Sequence, residues 1–220
     1  MTTWAQAPTD ESAGVRDLGP SPAAARTVRR ALAQRESAYL DEVERLLDAG
    51  LEVMEAAGDR AGPRVADVVR SAGLSNQAFY RHFASKDDLV AAVVEAGAWR
   101  LVGYLDHQMA KVADPASKIS AWVLGVLSQA SNPAVAQATR AVLWNRRQLP
   151  AGMAGQGRPG AMDHLLVDPL QALGSADPER DAAAISAVVF GRLDTFLWVS
   201  PPTDGDIEHL LGFVRRAVGG

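Results

Sequence analysis

The 220-residue chain contains no cysteine. That absence excludes disulfides, thiolate catalysis and zinc–cysteine sites. No apolar run approaches the roughly 18 residues a membrane-spanning helix needs. The first residues, MTTWAQAPTDES, have neither the basic start nor the apolar core of a signal peptide. These features lead us to expect a cytoplasmic protein. No segment alternates polar and apolar residues with period two between turn signals, so the expected fold class is all-α. There is no overall excess of basic charge, since 22 Lys and Arg face 26 Asp and Glu for a net −4. With 48% hydrophobic and 22% charged residues, the chain can bury a core, as one domain or two small ones.

Chemistry of the catalytic kind is also missing. His82, His107, His164 and His209 show no metal-ligand spacing. No G-x-S-x-G nucleophile motif occurs. Gly155-Gln156-Gly157-Arg158-Pro159-Gly160 spells G-x-G-x-x-G, but no strand precedes it and Pro and Gly surround it, so it reads as a loop. We expect no enzyme, no metal and no cofactor.

Residues 64–88, RVADVVRSAGLSNQAFYRHFASKDD, carry the strongest signal. Val65, Val68 and Val69 line one face of a helix over 64–72. Gly73 ends it, because glycine enters the left-handed conformation without a Cβ clash. Ser75 is an N-cap for a second helix over 76–83, on which Phe79 and Phe83 face inward. Two turns of helix cannot stand alone, so the pair must pack as a helix-turn-helix. Asn76, Gln77, Tyr80 and Arg81 are left facing out. Asn and Gln can each make two hydrogen bonds to an adenine edge, and Ala78 could meet a thymine methyl. Ser75, Tyr80, His82 and Lys86 can donate to phosphate oxygens. Between residues 60 and 86, Arg60, Arg64, Arg70, Arg81 and Lys86 stand against Asp67 alone, a local +4 in an acidic chain.

Three blocks hold a common register: Ala72-Gly73-Leu74-Ser75, then Phe79-Tyr80-Arg81-His82-Phe83, then Ser85-Lys86-Asp87-Asp88-Leu89. Together they resemble the signature of the tetracycline-repressor (TetR) family of bacterial regulators, over residues 39 to about 95. The resemblance implies phosphate contacts from Ser75, Tyr80, His82 and Lys86, and base reading by residues 76–78. Arg64, Gln77 and Ala78 depart from the residues usual in that family, and Asp59 stands where an aromatic is common. Family members also hold a ligand cavity among their later helices, which directs attention to Tyr104, Trp122, Trp144 and Phe190 as effector contacts.

The rest of the chain reads as follows. Residues 1–25 form a mobile tail rich in Thr, Ser, Ala, Pro and Gly. Arg26, Arg29, Arg30 and Arg35 are either an arm for DNA or a solvated lead-in. A helix covers 36–57, and a long one runs from Ser85-Lys86 to about 112, spanning about 37 Å. Asp114-Pro115, Asn132-Pro133 and Asp177-Pro178 announce further helices, and Thr203 with Asp206 opens the last. The expected division is an extension over 1–35, a DNA-binding domain over 36–95 and an effector and dimerisation domain over 96–220. Phe190, Leu193, Leu197, Leu210 and Val214 are assigned to a homodimer interface on the last two helices, because they exceed the apolar surface one helical pair can hide. The favoured reading is a dimeric repressor released from a palindromic operator by a small apolar or amphipathic effector. The alternative is a helical small-molecule-binding protein or enzyme without operator recognition.

Overall fold

Residues 21–154 and 160–218 are described in a computed structural model. The tail through residue 20, with Trp4, and the first five residues of the G-x-G-x-x-G pattern lie outside them. Contacts divide the chain into two units, 1–41 and 42–220. Every described element is helical, as the sequence pattern requires.

The first helix, α1, covers Pro22–Ala57 and starts fourteen residues before the expected position. Pro22 occupies the first helical turn and Ser21 Oγ accepts from the Ala24 N–H at 3.3 Å. Residues 22–35, AAARTVRRALAQR after the proline, are strong helix formers without an apolar stripe, so periodicity alone gives no warning of a helix here. Within the first unit this segment is exposed throughout, apart from a half-buried Ala25.

The second unit begins with the remainder of α1, which ends at Gly58 in the left-handed conformation (φ 62°). Helix α2 (Val65–Ala72) closes on Gly73, also at φ 62°, whose N–H bonds back to the last carbonyls. Helix α3 (Asn76–His82) follows, with Ser75 Oγ accepting from the Ala78 N–H at 3.1 Å. Helix α4 (Lys86–Ala110) repeats the device through Ser85 and the Asp88 N–H, also at 3.1 Å. Leu46, Met54, Val68, Phe79 and Leu89 are buried completely and lock these helices into one core.

Helices α5 (Pro115–Ser131) and α6 (Pro133–Arg147) open on Asp114 and Asn132, each side chain accepting from a first-turn N–H. Short helices α7 (Ala151–Ala154), α8 (Ala161–His164) and α9 (Val167–Ala172) follow, too brief for a periodic signal. Helix α10 (Pro178–Trp198) is capped by Asp177. Helix α11 (Asp204–Val218) has a reciprocal cap, in which Thr203 Oγ1 accepts from the Asp206 N–H and Asp206 Oδ2 accepts from the Thr203 N–H.

A second core is built from α4, α5, α9, α10 and α11 around Trp122, Leu105, Ile119, Leu166 and Val189. Gly125 sets the closeness of α4 and α5: a Cβ there would stand 2.5 Å from Leu105 Cδ2, inside any real contact. Helix α6 serves both cores, since Ala141 packs in the first and Ala136 in the second.

Candidate nucleic-acid interface and an apolar cavity

Helix α3 is oriented by its buried side. Phe79 is fully buried, with its ring 5.7 Å from Phe83 and edge-on to Tyr80 at 5.2 Å. With Phe79 fixed inward, Ser75, Asn76, Gln77, Tyr80 and Arg81 are exposed together, and so are Arg64 and Lys86 at the neighbouring helix starts. Tyr80 is 60% exposed and presents its hydroxyl beyond the apolar ring. These groups supply base-edge and phosphate donors on one short helix, beside the N–H groups of its first turn.

Two residues expected at the DNA have side chains that the fold turns inward. Ala78 is only 7% exposed and packs inward beside Phe79, because position 78 falls on the buried side of the helix. Its methyl does not face a groove. The His82 side chain is 1% exposed and its Nε2 lies 2.7 Å from Glu42 Oε2, so the imidazole is turned into the protein instead of toward phosphate. Glu42 and Arg45, both on α1, act as clasps. Glu42 accepts from Arg81 Nη2 at 2.6 Å as well as from His82. The His82 hydrogen bond, more than the nearby Arg81 charge, holds the Glu42 carboxyl below its usual range. Arg45 Nη2 donates to the carbonyls of Ala72 and Gly73, which α2 leaves without helical partners at its end. Nothing local signals such pairs, which are 27 to 40 residues apart in sequence.

A cavity of about 550 Å³ lies among α4, α6 and α10, with Leu51 of α1, Gln129 of α5 and Met162 of α8 completing it. Val93, Val94, Leu101, Val142 and Phe190 make its wall mostly apolar. The polar side chains in the wall are Arg100, Tyr104, Gln129, Thr139, Arg146 and Asp194. Arg100 pairs with Asp48 at 2.9 Å, and Asp194 with Arg147 at 2.6 Å and the Trp198 indole N–H at 3.1 Å. Thr139 Oγ1 donates to Gln129 Oε1 at 3.4 Å. Such a lining suits an apolar body carrying one or two polar atoms. Leu51, Val93, Val94 and Val142 also belong to the core beneath α3, while Leu101, Leu143, Phe190 and Leu193 belong to the other core.

Of the four aromatic residues expected at an effector site, Tyr104 and Phe190 line this cavity. Trp122 does not. It is fully buried behind Phe190, edge-on at 5.9 Å, with its indole N–H donating to the Met162 carbonyl at 3.0 Å. Trp144, half-buried on α6, is not part of the lining either. Aromatic bulk marks cores as readily as cavities, and the smaller Val135, Ala138 and Thr139 that do line it carry no signal in sequence. The residues expected at a dimer interface are covered within the single chain. Leu193, Leu197, Leu210 and Val214 are at most 5% exposed within the single chain, and Phe190 packs against the same core and faces the cavity. The estimate of excess surface failed because α5 lies between these helices and covers them.

Comparison with known proteins bears on this arrangement. Residues 46–93 match the pattern of "Bacterial regulatory proteins, tetR family". No curated protein matches the chain. Among solved structures, a transcriptional regulator from Pseudomonas aeruginosa PAO1 is 23% identical with a TM-score of 0.63, over 81% of this chain and 90% of that one. A TetR-family regulator from Mesorhizobium loti MAFF303099 is 14% identical with a TM-score of 0.64, over 82% and 96%. FadR from Bacillus subtilis, solved in complex with stearoyl-CoA, is 16% identical with a TM-score of 0.55, over 80% and 97%. At these identities the structures speak to the fold, and the matched segment 46–93 spans the end of α1, all of α2 and α3, and the start of α4. The chain thus carries, over residues 46–93, a segment similar to the tetR family of bacterial regulatory proteins, on a fold shared with these solved regulators.

Proposed function

We propose that the protein is a cytoplasmic repressor that leaves its operator when a small apolar or amphipathic molecule fills the cavity among α4, α6 and α10. In this reading residues 36–95 hold the DNA and residues 96–220 hold the effector and a second copy. Asn76 and Gln77 read base edges, while Ser75, Tyr80, Arg64 and Lys86 meet phosphates. Tyr104 and Phe190 contact the effector. The observation that carries the switch is the shared wall: Val93 and Val94 pack beneath the recognition helix and face the cavity as well. A ligand changes DNA affinity only if it binds two arrangements of that wall unequally. Because α6 packs in both cores, it is a second route beside α4. FadR's complex with stearoyl-CoA supports an apolar ligand on this fold.

A two-fold dimer would use the outer faces of α10 and α11, where Val188 and Phe213 are exposed, in place of the buried set. It would set two α3 helices one or more DNA turns apart, about 34–36 Å per turn, and so require a palindromic operator.

The test begins by selecting bound sequences from a random duplex library. Candidate apolar ligands are then titrated with and without saturating selected duplex. Reciprocity requires the DNA to weaken the ligand by the same factor as the ligand weakens the DNA, roughly 5–150-fold. Equal ligand affinity in both titrations would remove the switch. Light scattering that gives a monomer at micromolar concentration would remove the dimer.

A further inference from the structure

We propose that the N-terminal half of α1 is a second DNA-binding element, whose arginines grip the phosphate backbone of a duplex that the helix-turn-helix holds. The proposal rests on the DNA-binding reading but uses residues outside the segment matched to the family, which begins at residue 46.

Residues 60–86 and residues 22–35 are both basic windows in this acidic chain, as is 140–158 farther on. Residues 60–86, around the recognition helix, carry +4, and residues 22–35 carry the same charge in half the length, with four arginines and no acid before Glu36. The whole chain sums to −4. The second window is helical and its arginines are exposed. At about 100° per residue, Arg26, Arg29 and Arg30 fall within about 100° of one another around the axis, so they share a face. Arginine suits phosphate because its planar fork donates two parallel hydrogen bonds and it never loses its charge. Alanine and arginine also keep this segment helical without a core of its own.

The same observations weigh against other occupants. Val28, Leu32 and Tyr39 lie near the opposite face, but Arg35 interrupts that stripe and no Trp or Phe joins it, so it is thin for insertion into a membrane. A second copy of the segment would bring +4 against +4. A duplex already held by α3 meets these arginines at the high effective concentration that tethering within one chain provides. Their contribution is independent of sequence: affinity and salt dependence, without base preference.

The experiment measures anisotropy of a labelled duplex, drawn from the selected pool, and of a scrambled duplex with the full-length protein from about 50 to 200 mM salt. Arg26→Ala, Arg29→Ala and Arg30→Ala are combined in one variant, and a Lys version of all three serves as the charge-retaining control. Circular dichroism checks that helix content persists. The alanine variant is expected to lose affinity for both duplexes about ten-fold or more near 100 mM salt. The slope of log K against log salt should shallow by roughly one unit for each arginine that meets a phosphate. The lysine variant should keep most of the slope. An unchanged slope in the alanine variant overturns the proposal. So does loss of binding to phosphatidylserine vesicles with DNA binding unaltered, which would assign the face to a membrane. Gln77→Ala and Lys86→Ala are run in parallel. If those two leave DNA binding untouched, the helix-turn-helix assignment fails, while the slope of the arginine variant still decides this proposal.

Discussion

Beneath α3, Phe79, Val68 and Leu46 are fully buried among their neighbours, whereas between α4, α6 and α10 equally apolar side chains border a cavity of about 550 Å³. Protein interiors normally pack as densely as organic crystals, and open space forfeits contact energy. The two regions therefore answer different demands. Recognition needs α3 held in one orientation, so its support is filled, capped at both ends and clasped by Glu42 and Arg45. On the proposed function, a response to a ligand would need room, and the molecule forgoes packing there.

The contrast can be broken most severely at Phe79. Phe79→Ala opens a hole in the filled core and is expected to cost about 3–5 kcal/mol, read as a lower denaturant midpoint with DNA binding lost. A smaller effect, opposite in sense between the regions, comes from adding volume. Ala72→Leu, in the filled core, should cost about 1–3 kcal/mol, whereas Ala138→Leu, on the cavity wall, should be neutral or stabilising and should abolish ligand binding. Equal losses for the two would mean that the cavity is no true space. At the recognition surface, Gln77→Ala should relax preference at one base pair by about 1–3 kcal/mol, while Lys86→Ala weakens all duplexes alike. If selected sequences are unchanged for both, base reading does not reside at Gln77.

The gentlest test is pH. The carboxyl of Glu42 is depressed by its hydrogen bond from His82 and by Arg81, so its folded pKa lies below the unfolded value of about 4.3. A depressed acid contributes stability above the unfolded pKa and loses it as pH falls through the folded one. Glu42→Gln should lower the thermal midpoint slightly at neutral pH, and the gap from wild type should close as the pH is lowered below about 4. A gap constant down to pH 3 or so would show that ionisation of Glu42 plays no part.

Helix boundaries were legible wherever a side chain satisfies the backbone locally. Ser75, Ser85, Asp114, Asn132, Asp177 and Thr203 all cap the helices assigned to them, because a cap acts across two or three residues. The Gly73 stop was legible for the same reason. The beginning of α1 was not, since a helix without an apolar stripe has no period to find. Side-chain placement was read well for Asn76, Gln77, Tyr80 and Phe79 but not for Ala78 or His82. An alanine fits either side of a helix, and a histidine turns inward only if a distant carboxylate such as Glu42 is waiting. The supposed interface leucines illustrate the same limit. Their apolar character was plain, but which neighbour covers them depends on where α5 comes to rest.

The shared wall has a consequence for divergence. Leu51, Val93, Val94 and Val142 each have one flank toward the cavity and another toward the core that carries α3. A substitution there that suits a new ligand simultaneously disturbs the seat of the recognition helix. Val135, Ala138 and Thr139 line the same cavity outside both cores. Lineages that acquire new effectors should therefore change these α6 positions first and keep the four shared ones until compensating changes arise, so the history of ligand preference would be written on one side of the cavity.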